Sequence, residues 1–178
     1  MPKRIYTSEK TDKVLQGRIA KFNGQRFESR IEASLEWYRA KGLAIIEKTP
    51  EPMRPVRSLG EGRFIAIFEK KAQPDYKGTL AGGRSIVLEA KYTASGKLEQ
   101  SRVKAHQEVY LDKHEKLGAK CFVIGGYETG NVYMIPWSVW RQMKDLYGRK
   151  HITEDDVKQF RVPEMRDGTL LILEAANG

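Results

Sequence analysis

The chain has 178 residues, enough for one hydrophobic core but short for two domains, and its net charge of +9 favours a polyanionic partner such as nucleic acid. A single cysteine, Cys121, and three scattered histidines exclude a structural zinc site, so a bound metal would need oxygen ligands, as magnesium and manganese do. A charged N-terminus and the lack of a long apolar run exclude a secretory signal and a membrane span, so we expect a soluble, intracellular protein.

The N-terminal part of the chain begins with a basic segment. Residues 1–24 contain six Lys or Arg and two Glu or Asp with little apolar periodicity, which predicts a flexible basic arm. Over residues 25–41 apolar side chains recur at intervals of three and four, which predicts the first helix. Gly42 supplies its C-terminal stop, and the apolar run at residues 43–46 predicts a short strand.

Residues 51–71 combine alternating apolar residues with a cluster of cations. This pattern predicts an exposed two-stranded ribbon that turns at Gly60-Glu61-Gly62. Its cations are candidate contacts to DNA phosphates, with solvated surface charge as the alternative. These candidates are Arg54, Arg57, Arg63, Lys70 and Lys71.

The rest of the chain alternates strands with helices. Strands at residues 75–81 and 84–92, joined by Gly82-Gly83, predict a hairpin. The next predicted elements are a helix at 101–117, a hairpin at 120–125 and 132–135, a helix at 137–147 and a late strand at 170–173. Residues 149–178 form a C-terminal extension to which the sequence assigns no role.

The residues that indicate chemistry are Asp75 and, after a gap of thirteen residues, Glu89-Ala90-Lys91. On a strand, Glu89 and Lys91 project from the same face, roughly 6–7 Å apart. Two carboxylates can hold a hard cation, and a lysine can orient a water or neutralise charge on a phosphate. The set therefore predicts phosphodiester hydrolysis.

The register of the predicted hairpin tests this site. With a regular two-residue loop at Gly82-Gly83, Asp75 and Glu89 would lie on opposite faces of the sheet. One extra residue corrects this, through either a bulge at Gly78 or the inclusion of Ala81 in the loop. We therefore predict an irregularity in this hairpin.

The alternative is that Asp75 caps a turn while Glu89 and Lys91 are solvated strand residues. Glu89, however, follows the apolar run Ile86-Val87-Leu88, so it is expected on a buried strand where an unpaired carboxylate is costly. This context favours a functional site.

Several motifs, in this order, resemble a known nuclease family. They are Phe27-Glu28, Lys48-Thr49-Pro50, Asp75-Tyr76-Lys77-Gly78, Leu88-Glu89-Ala90-Lys91 and His106-Gln107. Over roughly residues 23–140 the chain resembles the PD-(D/E)xK nucleases, and more narrowly the RecU-type Holliday junction resolvases. The resemblance implies an α/β fold with a restriction-endonuclease-like core, a mixed central sheet flanked by helices and a protruding basic stalk at about residues 53–68. The nuclease domain would span residues 25–148.

The resemblance also implies roles for individual residues. Asp75, Glu89 and Gln107 would bind magnesium, for which manganese could substitute, and Lys91 would stabilise the transition state. Glu28 on the first helix could add a third carboxylate, or it could be an ordinary paired helix residue. The family usually has a Ser/Thr pair before the aspartate, whereas this chain has Gln73-Pro74, which leaves open whether Gln73 is a ligand.

The implied activity is the resolution of four-way DNA junctions by a homodimer that makes paired nicks, in the cytoplasm of a bacterium or a phage-infected host. The aromatic residues Trp37, Tyr38, Trp137 and Trp140 could pack a core or a dimer seam. Two other functions remain open: a restriction-like or repair nuclease acting on ordinary duplex, and a non-catalytic basic DNA-binding protein.

Overall fold

The computed structural model describes residues 8–68 and 73–177. Over these ranges the helices are α1 (Ser8–Ala40), α2 (Ala105–Lys116), α3 (Trp137–Arg141), α4 (Met143–Tyr147) and α5 (Ile172–Asn177), with 3-10 turns at Gln100–Arg102 and Asp155–Phe160. The strands are β1 (Ala44–Lys48), β2 (Met53–Gly60), β3 (Arg63–Phe68), β4 (Tyr76–Leu80), β5 (Ser85–Thr93), β6 (Leu98–Glu99), β7 (Lys120–Tyr127), β8 (Val132–Pro136) and β9 (His151–Ile152).

The described residues form one central sheet of five strands in the order β1-β4-β5-β7-β8. The β5–β7 pair is parallel and the other three pairs are antiparallel, so the sheet is mixed. Parallel neighbours need a crossover, and α2 supplies it between β5 and β7. The predicted mixed α/β sheet with flanking helices is confirmed, and β2 with β3 forms the predicted separate ribbon.

The core lies on both faces of this sheet. On one face α1 buries Phe27, Ile31, Leu35 and Tyr38, at the helical spacing that the sequence predicted. On the other face α2 and α3 cover a second apolar cluster, in which the side chains of Trp137 and Trp140 are fully buried. These two tryptophans therefore pack the core of this chain, and a dimer seam has to use other residues.

The first helix is longer than predicted. It begins at Ser8 rather than near residue 25, so Asn23-Gly24 lies inside a continuous helix. The prediction of a flexible arm over residues 1–24 is therefore revised for residues 8–24. Residues 14–22 contain no proline, and Leu15, Ile19 and Phe22 recur at intervals of four and three, which is a helical pattern whose side chains are exposed in this chain. Within the described residues, no helix is long and apolar enough to span a membrane.

The C-terminal residues belong to the same core. Val162, Leu170 and Ile172 pack in the cluster under α1. The hydroxyl of Ser34 accepts a hydrogen bond from the Leu170 amide at 2.9 Å. The prediction of a strand at residues 170–173 is wrong. Leu170 forms only an isolated β-bridge, and α5 begins at Ile172. Residues beyond the domain boundary predicted at residue 148 therefore pack in the same core as α1.

The hairpin between β4 and β5 has the predicted irregularity. Tyr76 lies opposite Leu88 and Thr79 opposite Ser85, and the Leu80 amide donates to the Arg84 carbonyl at 2.9 Å. The loop is therefore three residues long, and Ala81 joins the two glycines. The alternative of a bulge at Gly78 is wrong, because Gly78 pairs regularly with both neighbouring strands.

Two predicted helices are broken into shorter pieces. The helix expected over residues 101–117 is a 3-10 turn followed by α2, and the one expected over residues 137–147 is divided at Gln142 into α3 and α4. The predicted second hairpin is confirmed as β7 and β8.

Gly78 has a packing role that yields a prediction about stability. A Cβ placed on Gly78 would lie 2.0 Å from the Ile45 carbonyl oxygen and 2.5 Å from the Ile46 Cα, both backbone atoms of β1. We expect Gly78→Ala to lower the free energy of unfolding by at least about 2 kcal/mol, because strand β1 cannot move away without losing its pairing. Urea unfolding followed by circular dichroism measures the change.

The matched control is Gly17→Ala, at a helical position where an added Cβ meets no heavy atom within 4 Å. This change should raise the stability by up to about 1 kcal/mol through helix propensity alone. Equal stability of the two variants would show that the close approach of β1 to Gly78 is not a real constraint.

Candidate active site

The candidate site lies in a notch of the central sheet. Strand β4 begins at Tyr76, whereas β5 continues past the partner of Tyr76 to Thr93. The extra residues of β5 are paired only with β7 on their other edge. Asp75 directly precedes β4, so its side chain enters this notch opposite Glu89, as the three-residue loop requires.

Hydrogen bonds to the backbone fix the position of Asp75. Its Oδ2 accepts a hydrogen bond from the Ala90 amide at 2.8 Å. Its own carbonyl oxygen accepts from the Thr49 amide at 2.8 Å, which ties it to the end of β1. Asp75 is half-buried, so its carboxylate lies at the mouth of the notch with one oxygen directed along β5.

Glu89 is the most deeply placed acid of the site. Its side chain is 0% exposed, and its Oε1 contacts the Lys91 ammonium. The same oxygen accepts a hydrogen bond from the Gln107 side-chain amide at 2.6 Å. Its Oε2 is buried without a hydrogen-bond partner among the described residues. An unsatisfied carboxylate oxygen is costly in the interior, so this atom indicates a place where a cation fits.

Gln107 holds Glu89 from α2. Its side-chain oxygen accepts a hydrogen bond from the Lys104 amide at 3.0 Å, at the start of the helix. Its nitrogen therefore faces Glu89, and the residue is buried. In this orientation Gln107 positions the Glu89 carboxylate, and its oxygen is already used for capping α2.

Burial raises the pKa of both acids, and the charge of Asp75 raises that of Glu89 further. Burial is the main cause for Asp75, partly offset by the hydrogen bond from Ala90 and by the positive charge of Lys91. For Glu89, burial and then the charge of Asp75 raise the pKa to about 7, against the opposing effect of Lys91. Two acids that resist ionisation side by side are stabilised as carboxylates by a divalent cation.

Glu28 is paired rather than directed at the two acids. The Lys48 ammonium lies 2.8 Å from the Glu28 carboxylate and 2.7 Å from that of Glu32. Within the described residues, no group of three or more His, Cys, Asp or Glu side chains converges as a cation site. Glu28 still lies close enough to raise the pKa of Asp75. The sequence pattern did not predict that Lys48, in the motif Lys48-Thr49-Pro50, pairs with Glu28.

Gln73 also has partners of its own. Its side-chain oxygen accepts hydrogen bonds from the Lys77 ammonium at 2.6 Å and from the Tyr110 hydroxyl at 3.4 Å. Gln73 is exposed and Pro74 is buried. This arrangement directs the Gln73 oxygen toward Lys77 and Tyr110.

The ribbon carries its arginines on one face. Arg54 lies opposite Ile67 and Arg57 opposite Ile65, because a register shift at Val56 changes the phase of β2. Arg63 alternates in phase with these two isoleucines on β3. Arg63 also pairs with Glu61 at 3.0 Å. Lys70 and Lys71, the other two predicted DNA contacts, lie outside the described residues.

Comparisons with known proteins bear on the whole of this arrangement. A family model described as Recombination protein U matches residues 22–175. The Holliday junction resolvase RecU of Bacillus pumilus is 31% identical over 160 residues, covering 84% of this chain and 77% of the relative. That of Geobacillus kaustophilus is 28% identical over 146 residues, covering 76% and 72%. The structure of the Holliday junction resolvase Hjc of Archaeoglobus fulgidus aligns with a TM-score of 0.48 at 16% identity, covering 87% of this chain and 96% of that one.

The raised pKa of Glu89 predicts how stability depends on pH in the presence of EDTA. The pKa is about 7 in the folded protein against an ordinary value of 4.5, so the folded state keeps a proton that the unfolded state releases. The resulting stabilisation is complete below the ordinary pKa and is lost as the pH rises through 7. We expect wild type to lose on the order of 3 kcal/mol between pH 4.5 and pH 8 through this group.

Urea unfolding at several pH values measures this loss, which Glu89→Gln should abolish. Glu51→Gln, at an exposed position, serves as the control and should retain the wild-type pH profile. Magnesium added at pH 8 should stabilise wild type and not Glu89→Gln. Identical profiles for wild type and Glu89→Gln would contradict the raised pKa.

Proposed function

Because the chain belongs to the RecU family, we propose that it is a structure-selective endonuclease that resolves four-way DNA junctions by magnesium-dependent phosphodiester hydrolysis. The observation that carries the proposal is the buried Glu89 carboxylate, which faces Asp75 and contacts Lys91 in the notch of the sheet. An acid with a purely structural role is seldom buried with an unpaired oxygen, because the cost is high. In an acid that holds a metal, the cation satisfies that oxygen.

Asp75 and Glu89 are the residues that would hold the cation. Magnesium is commonly held by one or two carboxylates together with water and substrate phosphate, so two acids suffice, and manganese should substitute. When bound, the cation stabilises the negative charge that develops on the phosphate. The partnerless Oε2 of Glu89 supports this assignment.

The other residues of the site position these groups. Lys91, in contact with Glu89 Oε1, can orient the attacking water or neutralise charge on the phosphate. Gln107 holds the Glu89 carboxylate from the opposite side, so it acts as a positioning residue. The hydrogen bond from the Ala90 amide sets the direction of Asp75. Glu28, bound by Lys48, contributes negative charge near the site.

The ribbon supports a branched substrate over ordinary duplex. It extends from the sheet as a separate two-stranded element whose side chains are all exposed, with Arg54, Arg57 and Arg63 on one face. A narrow basic projection suits the open centre of a four-way junction, where phosphates approach from several strands. A duplex-specific nuclease has no need of such a projection.

A homodimer is the second part of the proposal. The ribbon face opposite the arginines is apolar, with Met53, Phe64 and Phe68 each more than half exposed. Exposed apolar surface of this kind favours a protein partner. A two-fold dimer would place two notches on a two-fold junction and so allow paired nicks.

Since its relatives are bacterial and its substrate is DNA, we place it in the bacterial cytoplasm.

Cleavage of labelled DNA tests the activity. We expect wild type to nick a four-way junction in magnesium but not in EDTA, and to leave a linear duplex of the same sequence uncut. Asp75→Asn should lower the rate at least about a hundredfold, because it removes a charged oxygen ligand. Asp145→Asn, at an exposed position of α4, is the matched control and should cut normally.

Each other outcome identifies a different function. Equal cutting of linear duplex would favour the restriction-like or repair nuclease, and junction binding without any cutting would favour the non-catalytic protein. On a supercoiled plasmid that extrudes a cruciform, a dimer should give linear product directly. Accumulation of nicked circles would contradict paired cleavage.

The ribbon arginines generate a prediction about salt dependence. Arg57→Ala should reduce the slope of log affinity against log salt for junction DNA by about 0.9, the value for one lost phosphate contact. Fluorescence anisotropy in EDTA measures this slope without cleavage. Arg39→Ala removes an equal charge at a residue already paired with Glu36 and Glu47, and should leave the slope unchanged. Equal effects of the two variants would contradict a role for the ribbon.

A further inference from the structure

A cleft extends from the candidate site along the free edge of β5. It is a cavity of about 290 Å³ between α1, the end of β5 and the 3-10 turn before α2, and Lys91 is one of the residues that line it. Same-face positions on a strand are about 7 Å apart, so the cleft reaches at least one such step beyond Lys91, to Thr93. A DNA strand cut at the notch has to continue somewhere, and this cleft opens directly from it.

Arg102 supplies a second cation to the lining of this cleft. It lies on the 3-10 turn, is exposed and lines the cleft together with Lys91. Among the described residues no side chain forms a hydrogen bond or ion pair with its guanidinium. A guanidinium at such a position can bind two phosphate oxygens at once. Solvation alone would also account for an exposed arginine, but not for its place in the lining of a cleft that Lys91 also lines.

Tyr92 supplies an aromatic face. Its ring is half-buried and packs against Phe27, with centroids 6.1 Å apart and planes tilted by 43°. Tyr92 and Phe27 line the cleft and also a second cavity of about 280 Å³, which Asn23 and Arg26 line as well. The Tyr92 ring therefore stands between two cavities, where a base or a sugar can contact it.

On the α1 side, part of the cleft is lined by residues with small side chains. On α1 the cleft is lined by Phe27 and Glu28 and by the small residues Ala20 and Gly24. A Cβ placed on Gly24 would meet no heavy atom within 4 Å. Larger side chains at these two positions would narrow the cleft without changing the helix. The wall leaves room for a nucleotide beside Arg102 and Tyr92.

We propose that this cleft binds the nucleotide next to the scissile phosphate, with Arg102 binding its phosphate and Tyr92 contacting its base. The proposal rests on the proposed function, because it requires a DNA strand cut at the notch. It assigns to the chain a binding site separate from the ribbon, on the strand that is cut.

The first test pairs a protein change with a substrate change. Single methylphosphonates, which remove the charge of one phosphate, are placed in turn at the positions flanking the cut, and single-turnover cleavage in magnesium is measured. For wild type, one of these positions should slow cleavage about tenfold, the effect of losing one charge-assisted contact. Cleavage of normal DNA by Arg102→Ala should be slower than cleavage by wild type by a similar factor. The methylphosphonate at that position should reduce the rate of Arg102→Ala little further.

The control is Arg84→Ala, which removes the same charge at the opposite end of β5, where Arg84 donates to the Gly118 carbonyl. It should cleave normal DNA at the wild-type rate and remain sensitive to the methylphosphonate. Fully additive effects of Arg102→Ala and the methylphosphonate would overturn the assignment of Arg102.

The second test fills the cleft. Gly24→Leu improves helix propensity while projecting into the cleft, so it should preserve or raise the melting temperature and still slow cleavage at least about tenfold. Gly17→Leu makes the same exchange two turns earlier, outside the cleft, and should cleave at the wild-type rate. Tyr92→Leu should cleave normal DNA more slowly than wild type. When the flanking nucleotide is abasic, the variant and wild type should cleave at the same rate.

These outcomes separate failure of the inference from failure of the proposed function. If wild type does not cut junctions at all, the proposed function fails. If wild type cuts and both Gly24→Leu and Arg102→Ala cut equally well, the strand does not pass through the cleft and the inference is overturned.

Discussion

The burial of one carboxylate, that of Glu89, is the constraint on which the rest of the site depends. A fully buried acid on the central strand needs donors and positive charge around it, and the fold supplies both from neighbouring elements. Lys91 contacts it from the same strand and Gln107 donates to it from α2. One oxygen is still without a partner among the described residues, and Asp75 opposes ionisation. The Glu89 carboxylate thus lacks part of the positive charge and hydrogen bonding that it needs, a deficit that the proposed divalent cation would remove.

This deficit exists because two paired strands differ in where they end. Strand β4 begins one residue after Asp75, and β5 continues for five residues beyond the partner of Tyr76, Leu88. Had β4 continued, its backbone would have covered the edge of β5 at which Asp75 and the cleft now lie. The hairpin loop at the far end sets the register, so a loop three residues long determines which face Asp75 occupies. Gly78 allows β1 to approach closely and to support β4 in that register.

The sequence predicted those features that depend on local patterns. Strand alternation placed Glu89 with Lys91, and the face requirement of Asp75 predicted the irregular loop. Features that depend on tertiary contacts were not predictable in this way. Nothing near Lys48 in the sequence indicates that it pairs with Glu28, twenty residues away. The strand expected at residues 170–173 has an apolar pattern typical of a strand, but α1 and the sheet leave room there for a helix turn. In the N-terminal half of α1 the side chains of Leu15, Ile19 and Phe22 are exposed, so packing against the core of this chain does not hold that part of the helix.

The ribbon shows how a small irregularity can organise charge. In a regular hairpin Arg54 and Arg57, three residues apart, would point to opposite faces. The register shift at Val56 brings them to the face of Arg63 and leaves Met53, Phe64 and Phe68 on the other. One face can then contact phosphate while the other packs against protein, which a ribbon of mixed faces could not do.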